Sequence, residues 1–181
     1  MKVLTGVYGT SYPRLEWERY DLPTVSKCDE MVLWENQMYS ISYDSLVVFS
    51  WDDYWKKWKI LYAEEGTFNG LAEDTIYNQV WAERGFPYYL QKTSDGKNWE
   101  KIEIDENVKA SMGGKAYFLF KENLIFVGHY GHTENNCLIF SKDNGKTWKK
   151  DGSLYGSIKG MGIFCDYLYV ATDIGLFRKK L

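Results

Sequence analysis

The amino-acid sequence predicts an all-β protein: a single domain over residues 1–181, built as a small ring of about four blades, each of four antiparallel strands. Three observations predict it. Trp17, Trp58, Trp99 and Trp148 stand 41, 41 and 49 residues apart. Each closes a polar, turn-like segment that has a short β-like run on either side. Aromatic residues make up 18% of the chain, and flat rings suit the pleated surface of a sheet. A repeat of about 45 residues made only of short strands is the pattern of a β-propeller.

The elements follow in order. Near the N-terminus "LTGVYG" reads as a strand and "EWERYDL" as the next. The first full blade, 26–62, holds "DEMVLW", "QMYSISY" and "SLVVF", with "KILYA" after Trp58. The second, 66–104, holds "TFNGLAE", "TIYNQVWAE", "PYYLQK" and "EKIEI". The third, 109–152, holds "KAYFLF" and "LIFVGHY" around the tight turn "KEN", then "CLIF" and the run after Trp148. Residues 157–181 offer three strands of a fourth blade, "SIKGMGIF", "YLYVAT" and "GLFRKKL", with no outer strand. The N-terminal "EWERYDL" is expected to supply it, so that the two termini share a blade and close the ring. "LTGVYG" is then one strand more than four blades need. That leaves two alternatives: a fifth partial blade, or a ring completed by a second chain. No helix longer than two turns is expected.

Each tryptophan ends a turn with its own logic. In "SKDNGKTW" (141–148) an Asp can accept bonds from backbone N–H groups a few residues on. A glycine supplies a positive φ, hydroxyls bond the exposed hairpin backbone, and the indole roofs the turn. This segment resembles the Asp-box of the BNR and sialidase-type propellers, Ser-x-Asp-x-Gly-x-Thr-Trp, at Ser141, Asp143, Gly145, Thr147 and Trp148. "TSDGKNW" (93–99) is a shorter relative, with Ser94, Asp95, Gly96 and Trp99. The copy at 50–58 keeps Ser50, Asp52 and Trp58 without the glycine, and the copy ending at Trp17 keeps little more than Ser11. In that family the boxes are elements of the fold and not of catalysis, so Asp95 and Asp143 are expected to be structural.

Strand alternation sorts the loops. Labelling the strands of a blade A to D, the A–B and C–D turns share one end and the D–A and B–C loops share the other. The resemblance places the active site of sialidase-like propellers at the D–A and B–C end. The longest loop there is "GHYGHTENN" (128–136), with both histidines of the chain. His129, Tyr130, His132, Glu134, Asn135 and Asn136, with Arg84 and Phe86 from 82–87, form the candidate binding set: polar groups for hydroxyls, rings to stack on a sugar.

Composition narrows the function. Lysine and arginine total 22 against 25 acidic residues, a net charge of −3, without the basic excess of a nucleic-acid binder. No apolar run approaches the length of a membrane span. The start "MKVLTGVYGT" has no apolar signal region, so the expected location is cytoplasmic or virion-associated. Cys28, Cys137 and Cys165 form no metal spacing. They are expected to be buried reduced thiols, and no metal or cofactor is expected. A sialidase needs an arginine cluster, and the chain has four arginines, of which only Arg84 lies in a ligand-end loop. The sequence therefore leans away from an enzyme. The expected function is a non-catalytic binding or scaffold propeller recognising a glycan or a protein, in the style of a viral or phage accessory or structural protein. The alternatives are a unit that completes its ring by homo-oligomerising, and a glycoside hydrolase working through paired carboxylates.

Overall fold

A computed structural model describes residues 28–85, 87–109, 112–130, 138–151 and 154–181, together with the backbone of 7–11 and 16–20. Its architecture is all-β and antiparallel. β1 (Val7–Ser11) and β2 (Glu16–Tyr20) pair as a two-stranded sheet. The first large sheet is β3 (Glu30–Trp34), β4 (Gln37–Ser42), β5 (Ser45–Asp52) and β6 (Lys57–Glu65), in that spatial order. The second is β7 (Phe68–Asp74), β8 (Gln79–Arg84), β9 (Tyr89–Thr93) and β10 (Glu100–Ile102). One helical turn, α1 (Glu106–Lys109), leads into the third: β11 (Lys115–Lys121), β12 (Leu124–Tyr130), β13 (Leu138–Ser141) and β14 (Lys149–Lys150). The last has three strands, β15 (Ile158–Phe164), β16 (Tyr167–Thr172) and β17 (Gly175–Lys180).

The order A-B-C-D in each four-stranded sheet is the one the repeat predicts. The inner strands meet in succession, β3 with β7, β7 with β11 and β11 with β15, a propeller-like arrangement of sheets. Three apolar clusters fill the spaces between neighbours. Tyr39, Ile41 and Val48 pack with Phe68, Leu71 and Val80 between the first two sheets. Trp81 and Leu90 pack with Ile125, Val127 and Ile139 between the second and third. Phe126 and Leu138 pack with Ile158, Leu168 and Val170 between the third and fourth. A B strand thus lies between two clusters: in β8, Val80 and Ala82 face one and Trp81 the other. Strands buried on both faces read as unbroken apolar runs, which is why "QVWA" and "LIFV" show no polar alternation.

Two expectations need correction. The run "TIYNQVWAE" is not one strand: Thr75 to Asn78 form a turn, because Asp74 Oδ1 accepts the N–H groups of Ile76 (3.0 Å) and Tyr77 (3.3 Å). Cys28 and Cys165 are exposed thiols and not buried ones. Cys165 sits at the first position of the β15–β16 turn with φ of +52°, so its apolar neighbours belong to a strand that it ends. Cys137 lies outside the described residues.

Candidate functional site

The turns at 141–148 and 93–99 bond within themselves. In the third sheet, Asp143 Oδ1 accepts Thr147 N–H and Ser141 Oγ–H, both at 2.8 Å, and Oδ2 accepts the Thr147 hydroxyl at 2.6 Å. Ser141 Oγ accepts Gly145 N–H at 2.8 Å, and Trp148 Nε1–H donates to the Gly145 carbonyl at 3.0 Å. These bonds, the Thr147 hydroxyl first, hold the Asp143 carboxyl down at about 2. In the second sheet, Asp95 Oδ1 accepts from Lys97 and Asn98 N–H, both at 2.8 Å, and Asn98 N–H leads the bonds that hold its carboxyl well below the usual carboxylate range. The hydroxyl of this box is that of Thr93, which accepts Gly96 N–H at 3.0 Å and donates to Asp95 Oδ1 at 3.0 Å. Ser94 is exposed and is not the hydroxyl of the box. In the first sheet Asp52 Oδ1 accepts Tyr54 and Trp55 N–H, and Lys56 takes the positive φ, +50°, that a glycine takes in the other boxes.

Each well-formed box also docks on the sheet before it. A Cβ on Gly145 (φ +81°) would stand 2.6 Å from the Trp81 ring, and Trp148 meets that same ring edge-on at 6.4 Å. Gly96 (φ +72°) abuts Gln37 and Tyr39 of β4, Gln37 donates to the Asp95 carbonyl, and Trp99 meets Tyr39 edge-on at 6.2 Å. The glycine is thus required twice, for its φ and for the close approach of the neighbouring B strand.

At the D–A and B–C end, the predicted set is described in part. His132, Glu134, Asn135, Asn136 and Phe86 lie outside the described residues. His129, on β12, is fully buried, and its Nε2 stands 2.6 Å from Oε2 of the equally buried Glu83 on β8. Tyr130 ends β12, is 39% exposed, and has Lys159 Nζ 3.8 Å from its ring centroid. Arg84 ends β8 and is engaged by Glu64 of β6, whose carboxylate also accepts Tyr89 Oη–H (3.0 Å), Tyr62 Oη–H (3.1 Å) and Gln91 Nε2–H (3.1 Å). Burial, followed by the Glu64 charge, pushes the Tyr62 phenol up to about 12, so Tyr62 stays a donor. The cage around Arg84 is not legible in the sequence, because Tyr62, Tyr89 and Gln91 sit on strands and read as core.

The inner strands have different surroundings at their two ends. Near the D–A loops, Glu30 Oε1 and Lys115 Nζ meet at 2.7 Å, and Glu30 Oε2 accepts Leu71 N–H at 3.0 Å. At the A–B end a cavity of about 720 Å³ opens between β3, β7 and β11, with Met31, Leu33, Glu73, Ile76, Phe118 and Phe120 in its wall. The sequence could not show it, since alternating apolar residues on an inner strand look the same whether they fill a core or face a channel.

No family model and no curated protein matches the chain. Solved structures do. The computationally designed Ika4 protein matches with a TM-score of 0.64 at 9% identity, over 90% of this chain and 96% of that one. The nidogen/laminin complex matches with a TM-score of 0.63 at 12% identity, over 97% of this chain and 68% of that one. BamB from Moraxella catarrhalis matches with a TM-score of 0.53 at 12% identity, over 82% of this chain. This chain spans 41% of the length of BamB. At such identities the likeness carries the fold alone, and the fold is propeller-like. Among the described residues no helix is long and apolar enough to cross a membrane.

Proposed function

We propose that this chain is a non-catalytic binding or scaffold β-propeller of the Asp-box type, which recognises a glycan or a protein at the end bearing Arg84, Phe86 and residues 128–136. The observation that carries the reading is the commitment of Glu64. Its two oxygens take bonds from Tyr62, Arg84, Tyr89 and Gln91, which joins β6, β8 and β9 in one polar floor beneath the loops. Glu83 is likewise spent on His129 and Asn69. A floor of this kind positions loops for recognition. The shared bonding of the turns at 93–99 and 141–148 supports the Asp-box assignment. A cytoplasmic or virion-associated location belongs to the same proposal. The test is a glycan array together with capture of partners, run on the wild type and on Tyr130→Ala. Binding that the substitution removes supports the reading, and a blank in both assays for the wild type contradicts it.

Ring closure is part of the proposal. β17 is exposed along its whole length and has β16 as its paired neighbour, so it offers an open edge. β2 as the outer strand of the last blade would cover that edge. The same open edge favours a second reading, in which another copy completes the ring. A strict monomer by light scattering at micromolar concentration supports closure within the chain, and a dimer supports the second reading.

A further inference from the structure

The cavity at the A–B end is walled by apolar side chains that stay in contact with water. Leu33, Ile76 and Met31 are 61%, 48% and 43% exposed in its wall. Phe118 and Phe120, half-buried against the Trp81 cluster, belong to the same wall and stack nearly parallel at 6.2 Å. Apolar side chains gathered around one concavity and left in contact with water mark a binding surface more often than scattered ones do. The volume, about 720 Å³, lies within the range of a ligand site. Glu73 is the charged residue among those of the wall. Three of the A–B turns around it bring further exposed acids, Glu35, Glu122 and Asp166, of which Asp166 is 3.8 Å from Lys121. The lysines of the box turns, such as Lys97 and Lys146, share this end but sit on the C–D turns, two strands further from the axis. The inner rim is therefore acidic around an apolar cup, and the Glu30–Lys115 pair with Leu71 N–H ties the three sheets together at the far end.

We propose that this cup is an interaction site for an exposed segment of a partner protein that carries a large apolar side chain next to lysine or arginine. The apolar side chain enters between Leu33, Ile76 and the Phe118–Phe120 pair, and the cation meets Glu73. The site is separate from the loops at the opposite end, and its test does not depend on what those loops bind.

The probe is a fluorescein-labelled peptide with one phenylalanine between two lysines, compared with its counterpart carrying glutamates in place of the lysines. Anisotropy titration of the full chain is expected to give a Kd tighter than about 1 mM for the cationic peptide, and binding at least tenfold weaker for the anionic one. Leu33→Arg, at a solvent-facing position, is expected to abolish binding, Glu73→Gln to weaken it several-fold, and Tyr130→Ala, at the other end, to leave it unchanged. Equal affinity for the two peptides, undiminished binding by Leu33→Arg, or no binding at 1 mM overturns the proposal. Self-association of the protein that Leu33→Arg removes overturns it too, by giving the cup to a second copy.

Discussion

Thr93 and Ser141 perform one task with two residue types. Each hydroxyl accepts a glycine N–H and donates to the box carboxylate. Such a bond resembles a helix cap in strength. Thr93→Ala is expected to lower stability by about 1 kcal/mol, and Ser94→Ala to change it by less than about 0.5 kcal/mol. Urea unfolding monitored by tryptophan fluorescence distinguishes the two, and a larger loss at Ser94 would contradict the assignment. The box carboxylates also set a pH dependence. The Asp143 carboxyl, held at about 2 against an ordinary 3.8, is depressed in the folded state. It therefore contributes stability that is complete above about pH 4 and is lost as pH falls toward 2. Asp143→Asn is expected to be less stable at pH 7 and to lose stability less steeply between pH 4 and pH 2 than the wild type. Parallel acid profiles for the two proteins would sink that account. The sequence reads well at this scale wherever a side chain bonds its own turn. It misleads at Ser94, where two adjacent hydroxyls compete: the bonding one stands two positions before the Asp in both turns, Thr93 before Asp95 as Ser141 before Asp143, and the shortening falls after the Asp.

The tight A–B turns share a strained device. Glu35, Glu122 and Cys165 each open a two-residue turn with φ of 51°, 51° and 52°. A side chain with a Cβ is disfavoured there by about 1–2 kcal/mol, while glycine is not but costs more chain entropy. Cys165→Gly is expected to raise stability by about 0.5–1 kcal/mol in urea unfolding, and a loss of that size would contradict the reading. Strand existence and pairing are legible because the apolar runs are bounded by such turns: Leu124–Tyr130 was delimited to the residue. Thr75 to Asn78 was not, because Ile76 and Tyr77 look like strand residues and only the bonds of Asp74 reveal the turn. The roofing tryptophans were legible as lids. Their second partner, the B strand of the preceding sheet, was not, because a repeat reports what recurs within a unit and not what one unit presents to the next.

On the scale of the molecule, the periodic tryptophans anticipated four successive sheets, and the exchange of apolar faces between neighbours accounts for their stacking. Trp81 illustrates the economy of the design: it belongs to the second sheet, roofs nothing of its own, and receives Gly145 and Trp148 of the third. That Arg84 and Tyr130 emerge at one end is legible from strand alternation, but the cage that fixes Arg84 draws on two sheets, and no local pattern links Glu64 to Tyr89 or Gln91. The central claim is that the inner strands of the sheets converge on one axis, which brings Glu30 of the first sheet to Lys115 of the third past the whole of the second. Zero-length carbodiimide coupling of the monomer, read by mass spectrometry of proteolytic peptides, tests this most directly. A Glu30–Lys115 amide as a dominant intramolecular product is the predicted result. Coupling of Glu30 to other lysines with none to Lys115 would contradict the convergence of the sheets.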